Sequence, residues 1–551
     1  MAFLRKALVV EDEIEFWRVY FEQVFPKDDW QLEFAANSEE GISILKGDPS
    51  YDIILVDYFL NQSTGHDFLE QKIYIDDIIP TFLISGYPDK SYTAADISKY
   101  NTIPYFIDKD ELITNPSNVS HTIRSHYEEY IAKLCMPSIY SESGRLRAVI
   151  THKPSIEVEH IDPDNLNWYL FESRPELKMM ETQHDAFIRS LRKSTRGTIT
   201  LDLSHLLYDI IKHSNSDDKY DIVLNTLFNA EIRSLMQVFS AHGMVMSELI
   251  NSMVAQLLTK DPTLITEIIL SGINIADIMG EDRKESMYTR KECQIIPPVP
   301  NMYFTRDPGF VLGDHIILSR MFWPIRRREP YVLREVIKHH PFFKRTRNNM
   351  IDLLDEPGVF SHEGGDVMAI APGEYAIAIS ERTSPAAAQK IAHLLIKAGA
   401  TRVFQPMIPA KRAFIHLDTV CSLIGDNHVL IHPDALEAYP NTLCWDRATI
   451  LETDKEPESK GRFVDVLIEE FGKEPIETAG GGARARLEQF DDATNVFMAD
   501  KNVAVAYNRN LTTNGIIKET TGITVNEFSG SDLVMGRGGP RCMTLPLNRD
   551  S

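Results

Sequence analysis

Cys542 is the side chain best suited to covalent chemistry. It lies in Gly536-Arg537-Gly538-Gly539-Pro540-Arg541-Cys542-Met543-Thr544. Three glycines and a proline make a tight loop whose backbone can approach a ligand closely. The neighbouring Arg537 and Arg541 favour thiolate, the nucleophilic form of cysteine. The plainer alternative is a small buried hydrophobe. Three other fragments suit proton transfer and cation binding. Phe414-Ile415-His416-Leu417-Asp418 alternates as a strand and would put His416 and Asp418 on one face. An imidazole there can act as general acid and then base, and a carboxylate can hold a cation. His362-Glu363-Gly364-Gly365-Asp366 sets two carboxylates around a glycine pair, the alternative being an ordinary acidic turn. Asn301-Met302-Tyr303-Phe304-Thr305-Arg306-Asp307-Pro308 follows a proline-rich entry. It offers Asp307 at a strand end, or as a helix cap before Pro308.

A second constellation occupies the amino-terminal part. Glu11 and Asp12 follow a first apolar strand (Leu4 to Val10), and Asp57 follows a third (Asp52 to Val56). Ser85 ends a fourth (Thr81 to Ser85), and Lys109 follows a fifth (Ile103 to Ile107). Three carboxylates gathered at strand ends make an oxygen site for a hard cation, which suits Mg²⁺. Magnesium at Asp57 would neutralise an incoming phosphoryl group together with the attacking carboxylate. Lys109 can pair with phosphoryl oxygens, and the Ser85 hydroxyl can donate to one.

The elements that must position these groups differ between the two parts. Short continuous apolar strands separated by helical segments predict a parallel sheet covered on both faces, with its site at the carboxyl ends of the strands. Glu15 to Phe25 reads as one helix and His121 to Leu134 as a closing one, with a boundary at Met136-Pro137-Ser138. Leu146 to Thr151 then reads as a strand, and Glu181 to Arg192 as a helix with His184 and Asp185 in its first turns. From about Leu203 to Gly280 the spacing is helical. After Pro297-Pro298-Val299-Pro300 short strands and helices return. No internal repeat stands out.

A chain of 551 residues suggests two or three domains. A formal charge of −23 argues against a nucleic-acid footprint, which needs a basic patch. The five cysteines (Cys135, Cys293, Cys421, Cys444 and Cys542) form no CxxC pair and read as free thiols of a reducing compartment. The first residues read as a strand and not a signal peptide, and no apolar run is long enough to span a bilayer. A cytoplasmic location with no membrane partner is expected.

Residues 4 to 134 resemble the receiver domain of two-component response regulators. The resemblance rests on Glu11-Asp12, Asp57, Ser85 and Lys109, with Phe106 at the switch aromatic position and Gly65 and Gly86 where the family often has glycine. Asp110 stands where proline usually follows the lysine. From about Ser141 onward the chain resembles arginine deiminases, in the guanidino-group-modifying superfamily of the pentein, or α/β-propeller, fold. This rests on the fragments above and on Asn165, Leu170-Phe171-Glu172, His184-Asp185 and Met321-Phe322-Trp323-Pro324-Ile325-Arg326-Arg327. The terminal cysteine loop is the most specific piece, and the helical block resembles that family's helical insertion.

Together the resemblances imply an α/β multidomain protein. A flavodoxin-like (βα)5 receiver would span 1–134 and a linker 135–140. A pentein catalytic domain would span 141–551, with a helical insertion at about 203–290. They imply hydrolysis of free L-arginine to L-citrulline and ammonia, with Cys542 as nucleophile, His416 and Glu363 as acid–base pair, and Asp307 and Asp418 gripping the guanidinium. Asn301, Phe304, Arg326, Asp366, Arg382 and Arg537 would bind the rest of the substrate. His362 and Arg541 are small departures from the family pattern. Asp57 would be the phosphoacceptor, Ser85, Phe106 and Lys109 the switch, and Glu11, Asp12 and Asp57 the Mg²⁺ ligands. No cofactor is expected for the deiminase. Expected partners are L-arginine, a sensor histidine kinase or other phosphodonor, and a second copy of the chain. Another guanidine-modifying hydrolase, an amidinotransferase and a non-catalytic arginine sensor are the alternatives.

Overall fold

The computed structural model describes residues 5–48, 51–61, 63–86, 106–229, 246–274, 290–358, 360–411, 413–436, 441–451 and 456–550. Contacts divide the chain into two units. One contains Met1–Cys135 and Ile188–Ile199, the other Met136–Phe187 and Thr200–Ser551. Leu4 and Ile103 to Tyr105, parts of two expected strands, lie outside the described residues, as do residues 230–245 and 275–289 of the expected helical insertion.

The amino-terminal unit holds a five-stranded parallel sheet. In space its strands run Trp30–Ala35, Arg5–Val10, Ile53–Asp57, Thr81–Ser85 and Phe106–Asp108. Numbered along the chain this is 2-1-3-4-5, the doubly wound order whose ligand site lies at the carboxyl ends of the strands. Side chains alternate between the faces. Ala7, Val9, Ile53, Leu55, Phe82 and Ile84 pack against Trp17, Phe21 and Val24 of helix Ile14–Val24 and against Val119 and Ile123 of helix Pro116–Leu134. Leu8, Val10, Ile54, Val56 and Leu83 pack against Ile42, Leu45 and Phe68 on the other side. Burial on both faces explains why the strands read as unbroken apolar runs. Gly65 is required by close approach: a Cβ there would lie 2.7 Å from the Asp57 carbonyl oxygen.

The larger unit repeats one strand pattern. An antiparallel hairpin is followed by a strand parallel to its second arm. It recurs in Gly309–Leu312, His315–Leu318 and Met350–Asp352, and in Val367–Ala371, Glu374–Ile377 and Arg402–Pro406. It recurs again in Cys421–Ile424, His428–Ile431 and Glu474–Glu477, and in Phe497–Asp500, Val503–Tyr507 and Thr524–Phe528. Leu545–Arg549 pairs antiparallel with Leu146–Thr151. The sequence showed no such repeat because the spacing between the strands differs each time. The helical stretch is present as Leu203–His213, Ser216–Leu227, Met246–Leu257 and Pro262–Ser271. Among the described residues no helix is long and apolar enough to cross a membrane.

One expectation fails. Phe414 to Asp418 is not a strand: Phe414 makes an isolated bridge with Lys411, and Leu417–Thr419 is a single 3₁₀ turn. The His416 carbonyl accepts from the Thr419 N–H and hydroxyl, and the Leu417 N–H is drawn to the Asp366 carboxylate. Side-chain capping of this kind competes with a strand ladder.

Phe82 is fully buried under the aromatic helix Ile14–Val24. Phe82→Ala should cost about 3–5 kcal/mol. Faster hydrogen exchange in strands Arg5–Val10 and Ile53–Asp57, with the larger unit unchanged, is the expected result.

Candidate active site

Two glycines let the acidic fragments close up. A Cβ on Gly364 would lie 2.0 Å from the Arg306 carbonyl oxygen, and one on Gly365 would lie 2.6 Å from the His416 ring and 2.9 Å from Asp307 Oδ1. Without those methyls, Glu363 Oε2 meets His416 Nε2 at 2.8 Å, and His416 Nδ1 stands 3.7 Å from Asp307 Oδ1. All three residues are buried. Burial alone would lower the His416 pKa. Asp307 with the hydrogen-bonded Glu363 and nearby Asp366 outweighs it and raises His416 to about 9. Burial likewise opposes ionisation of Glu363, but Arg382 and His416 hold that carboxyl well below the usual range.

Cys542 lies beside these groups, 2% exposed. Its thiol reaches Asp418 Oδ2 at 3.6 Å. Its carbonyl accepts from the Arg306 N–H at 3.0 Å. Burial, then Asp418, Asp307 and Asp492, push the thiol well above its ordinary pKa. The resting site therefore holds a neutral thiol and a charged imidazolium. The glycines of the cysteine loop again serve close packing, for a Cβ on Gly538 would lie 2.3 Å from the Phe304 ring.

Asp307 and Asp418 are each half satisfied. Asp307 Oδ2 accepts from Arg326 Nη1 at 2.6 Å, and Asp418 Oδ2 from Arg541 Nη1 at 2.8 Å. Asp307 Oδ1 and Asp418 Oδ1 are buried without a hydrogen bond. Arg541 also binds Glu142, whose carboxyl it helps hold at about 2 against the effect of burial. Arg326 is fully engaged, bonding Glu329, Asp307 and the carbonyls of Asn301 and Phe304. Asn301 donates to the Tyr169 carbonyl. Asp366 accepts from Ser380, Thr383 and the Leu417 N–H, and burial still raises it to about 6. Arg382 donates to Glu363 and lies 6.0 Å over the Trp323 ring. Arg537 donates to Glu172 and lies 4.5 Å over Phe490. Trp323 and Phe322, whose N–H donates to Glu363, line a cavity of about 540 Å³.

The sequence reading missed Glu142, Arg306, Glu329, Asp492 and Asn495. Glu142 and Asn495 acquire their places through partners distant in sequence, whereas Arg306 lies within the quoted Asn301–Pro308 fragment and Glu329 pairs with Arg326 three residues away.

At the amino-terminal sheet, Asp57 ends the central strand, buried, and receives Lys109 Nζ at 2.8 Å. Lys109 also meets Glu11 at 2.8 Å, and the Asn61 N–H donates to Asp12. Burial raises Glu11 to about 7 and raises Asp57 too. Ser85 is buried at the end of the adjoining strand, and Phe106 begins the next one, half-buried. Among the described residues, two clusters of ligand atoms could hold a cation, with their atoms within 4.8 Å of one another: Glu11, Asp12 and Asp57, and Asp307, Glu363 and His416.

The raised His416 pKa has a definite sign. Its extra stability is complete below the unfolded value, about 6.5, and is lost as pH rises through about 9. Histidine-ring NMR should show His416 titrating near 9, and Glu363→Gln should lower that midpoint by about one pH unit or more.

The arginine deiminase family model matches residues 167–549. The arginine deiminase of Staphylococcus epidermidis is 34% identical over 432 residues, 75% of this chain and 98% of that protein. That of Rhodococcus erythropolis is 32% identical over 422 residues, 74% and 96% of the respective chains. A solved amidinotransferase from Microseira wollei overlaps at a TM-score of 0.43 and 14% identity, covering 76% of this chain and 98% of that one. On the family model and these relatives, the chain belongs to the arginine deiminase family.

Proposed function

We propose that the chain hydrolyses free L-arginine to L-citrulline and ammonia through a covalent intermediate on Cys542. One observation carries the reading: Asp307 and Asp418, two of the three acids that act on the Cys542 sulfur, each keep a buried oxygen without a hydrogen bond. Such oxygens call for a cationic donor. A guanidinium presents paired N–H groups to two carboxylates at once. Asp307 and Asp418 hold it, Arg326 braces Asp307 from behind, Phe304 packs on the substrate's chain, and Asn301, Arg382 and Arg537 order the amino-acid end, with Asp366 bracing the surrounding loops.

The bound cation reverses the electrostatics at sulfur. Without it, three acids disfavour thiolate. With it, the thiol proton leaves to solvent and thiolate forms beside the carbon it attacks. The C–S bond forms and gives a neutral tetrahedral adduct. His416, charged up to about pH 9, protonates one amino group. The C–N bond breaks, ammonia departs and an S-alkylthiouronium remains. Neutral His416 then takes a proton from water as the oxygen adds to carbon. The C–S bond breaks with Cys542 leaving as thiolate, the hydroxyl proton passes to the released ammonia as citrulline forms, and the sulfur takes back a proton from solvent. Glu363 holds the imidazole throughout.

We also read residues 1–134 as a receiver domain, 135–140 as a linker and 141–551 as an α/β-propeller, with phosphorylation of Asp57 regulating the deiminase. Support comes from the strand order, the strand-terminal Asp57 and its Lys109 partner. Glu11, Asp12 and Asp57 form an all-oxygen donor set that fits magnesium. Bound there, magnesium would neutralise charge between carboxylate and phosphoryl group. Lys109 would exchange its carboxylate contacts for phosphoryl oxygens, with Ser85 and Phe106 as the switch.

Cys542→Ser should lower citrulline release from arginine by at least about a thousandfold. Turnover within tenfold of wild type would remove Cys542 from the nucleophile's role. Incubation with acetyl phosphate and magnesium should leave one acid-labile phosphoryl group, absent in Asp57→Asn. An adduct that survives this substitution would refute the phosphoacceptor assignment.

A further inference from the structure

Asn495 is fully buried and belongs to none of the motifs that marked the site. It lies just before strand Phe497–Asp500, in a turn where Asp492 has a positive φ of 50°. Its amide is completely used. Oδ1 accepts the Cys542 N–H at 3.0 Å. Nδ2 donates to the Asp418 carbonyl at 3.1 Å and to Cys542 Sγ at 3.1 Å. The approach is tight: a Cβ on Gly539 would lie 2.8 Å from Asn495 Cβ.

We infer that Asn495 is a thiolate-stabilising residue that clamps the reactive sulfur by its own main chain and by its side chain together. The inference rests on Cys542 being the nucleophile. Asp418, Asp307 and Asp492, the charged groups that act on this sulfur, all disfavour thiolate. The Asn495 N–H acts in the opposite sense. A hydrogen bond to the charged form favours it, and a neutral amide donor does so without opposing the cationic substrate. Because Oδ1 holds the Cys542 N–H, the amide cannot turn over without losing both contacts. The sulfur thus keeps one orientation from thiol through thiolate to adduct. The second N–H ties the Asp418 main chain to the same clamp, so nucleophile and guanidinium-binding acid keep a set spacing.

The test compares wild type, Asn495→Ala and Asn495→Asp. Iodoacetamide labelling of the Cys542 peptide is followed by mass spectrometry from pH 6 to 11, alongside kcat and KM for arginine. Asn495→Ala should move the alkylation midpoint up by about one pH unit or more. It should lower kcat about ten- to a hundredfold, with KM within about threefold. Asn495→Asp keeps the acceptor for the Cys542 N–H but replaces the donor with negative charge, so its midpoint should rise further. An unchanged midpoint in either folded variant overturns the inference, whatever happens to kcat. Failure of both to fold would make the amide a structural clasp and would also overturn it. Citrulline release that survives Cys542→Ser would instead overturn the nucleophile assignment, leaving the midpoint shift to stand on its own.

Discussion

The site depends on an incomplete charge balance in a dry interior. Asp307 and Asp418 are almost wholly buried, and burial penalises ionised carboxylates heavily. Arg326 and Arg541 compensate each through one oxygen only. A second layer secures the arginines, with Glu329 behind Arg326 and Glu142 behind Arg541. The result is a cluster in which one oxygen of each acid is left without a hydrogen bond. Thiol and imidazole take their protonation states from the same field, which explains why the resting sulfur is neutral and the imidazole charged.

Local chemistry was legible in the sequence where function demands an unusual local pattern. The glycine-proline loop before Cys542 and the glycine pair beside Glu363 stand out because close approach excludes a Cβ. The amino-terminal strands were readable because both faces of their sheet are covered. The strand expected at Phe414 to Asp418 failed for a physical reason: Asp366 and Thr419 offered its backbone better partners than a neighbouring strand. His416 reaches the site from a turn instead. Glu142 and Asn495 were invisible because an acid and an amide in ordinary surroundings carry no sign of a partner hundreds or dozens of residues away.

The fold also explains why unequal stretches of chain can build one compact site. The repeated hairpin-plus-parallel-strand pattern brings strand ends and their turns together, and Asp307, Glu363, Asp366 and His416 all lie in short turns next to such strands. Strand repetition tolerates insertions between its members, which is how the helical stretch between Leu203 and Ser271 is accommodated. Rigidity comes from the sheets, and chemistry from the turns they hold.

The Glu142–Arg541 pair joins residues 399 positions apart, and the strand after Cys542 pairs with Leu146–Thr151. Contacts so distant in sequence repay their loop-closure entropy only after the intervening structure exists. The cluster is therefore complete only when the two ends of the larger unit have been joined. A chain in which either pairing is open would hold the sulfur, the imidazole and the acids as unconnected pieces. Recovery of activity during refolding consequently reports the joining of the larger unit's two ends.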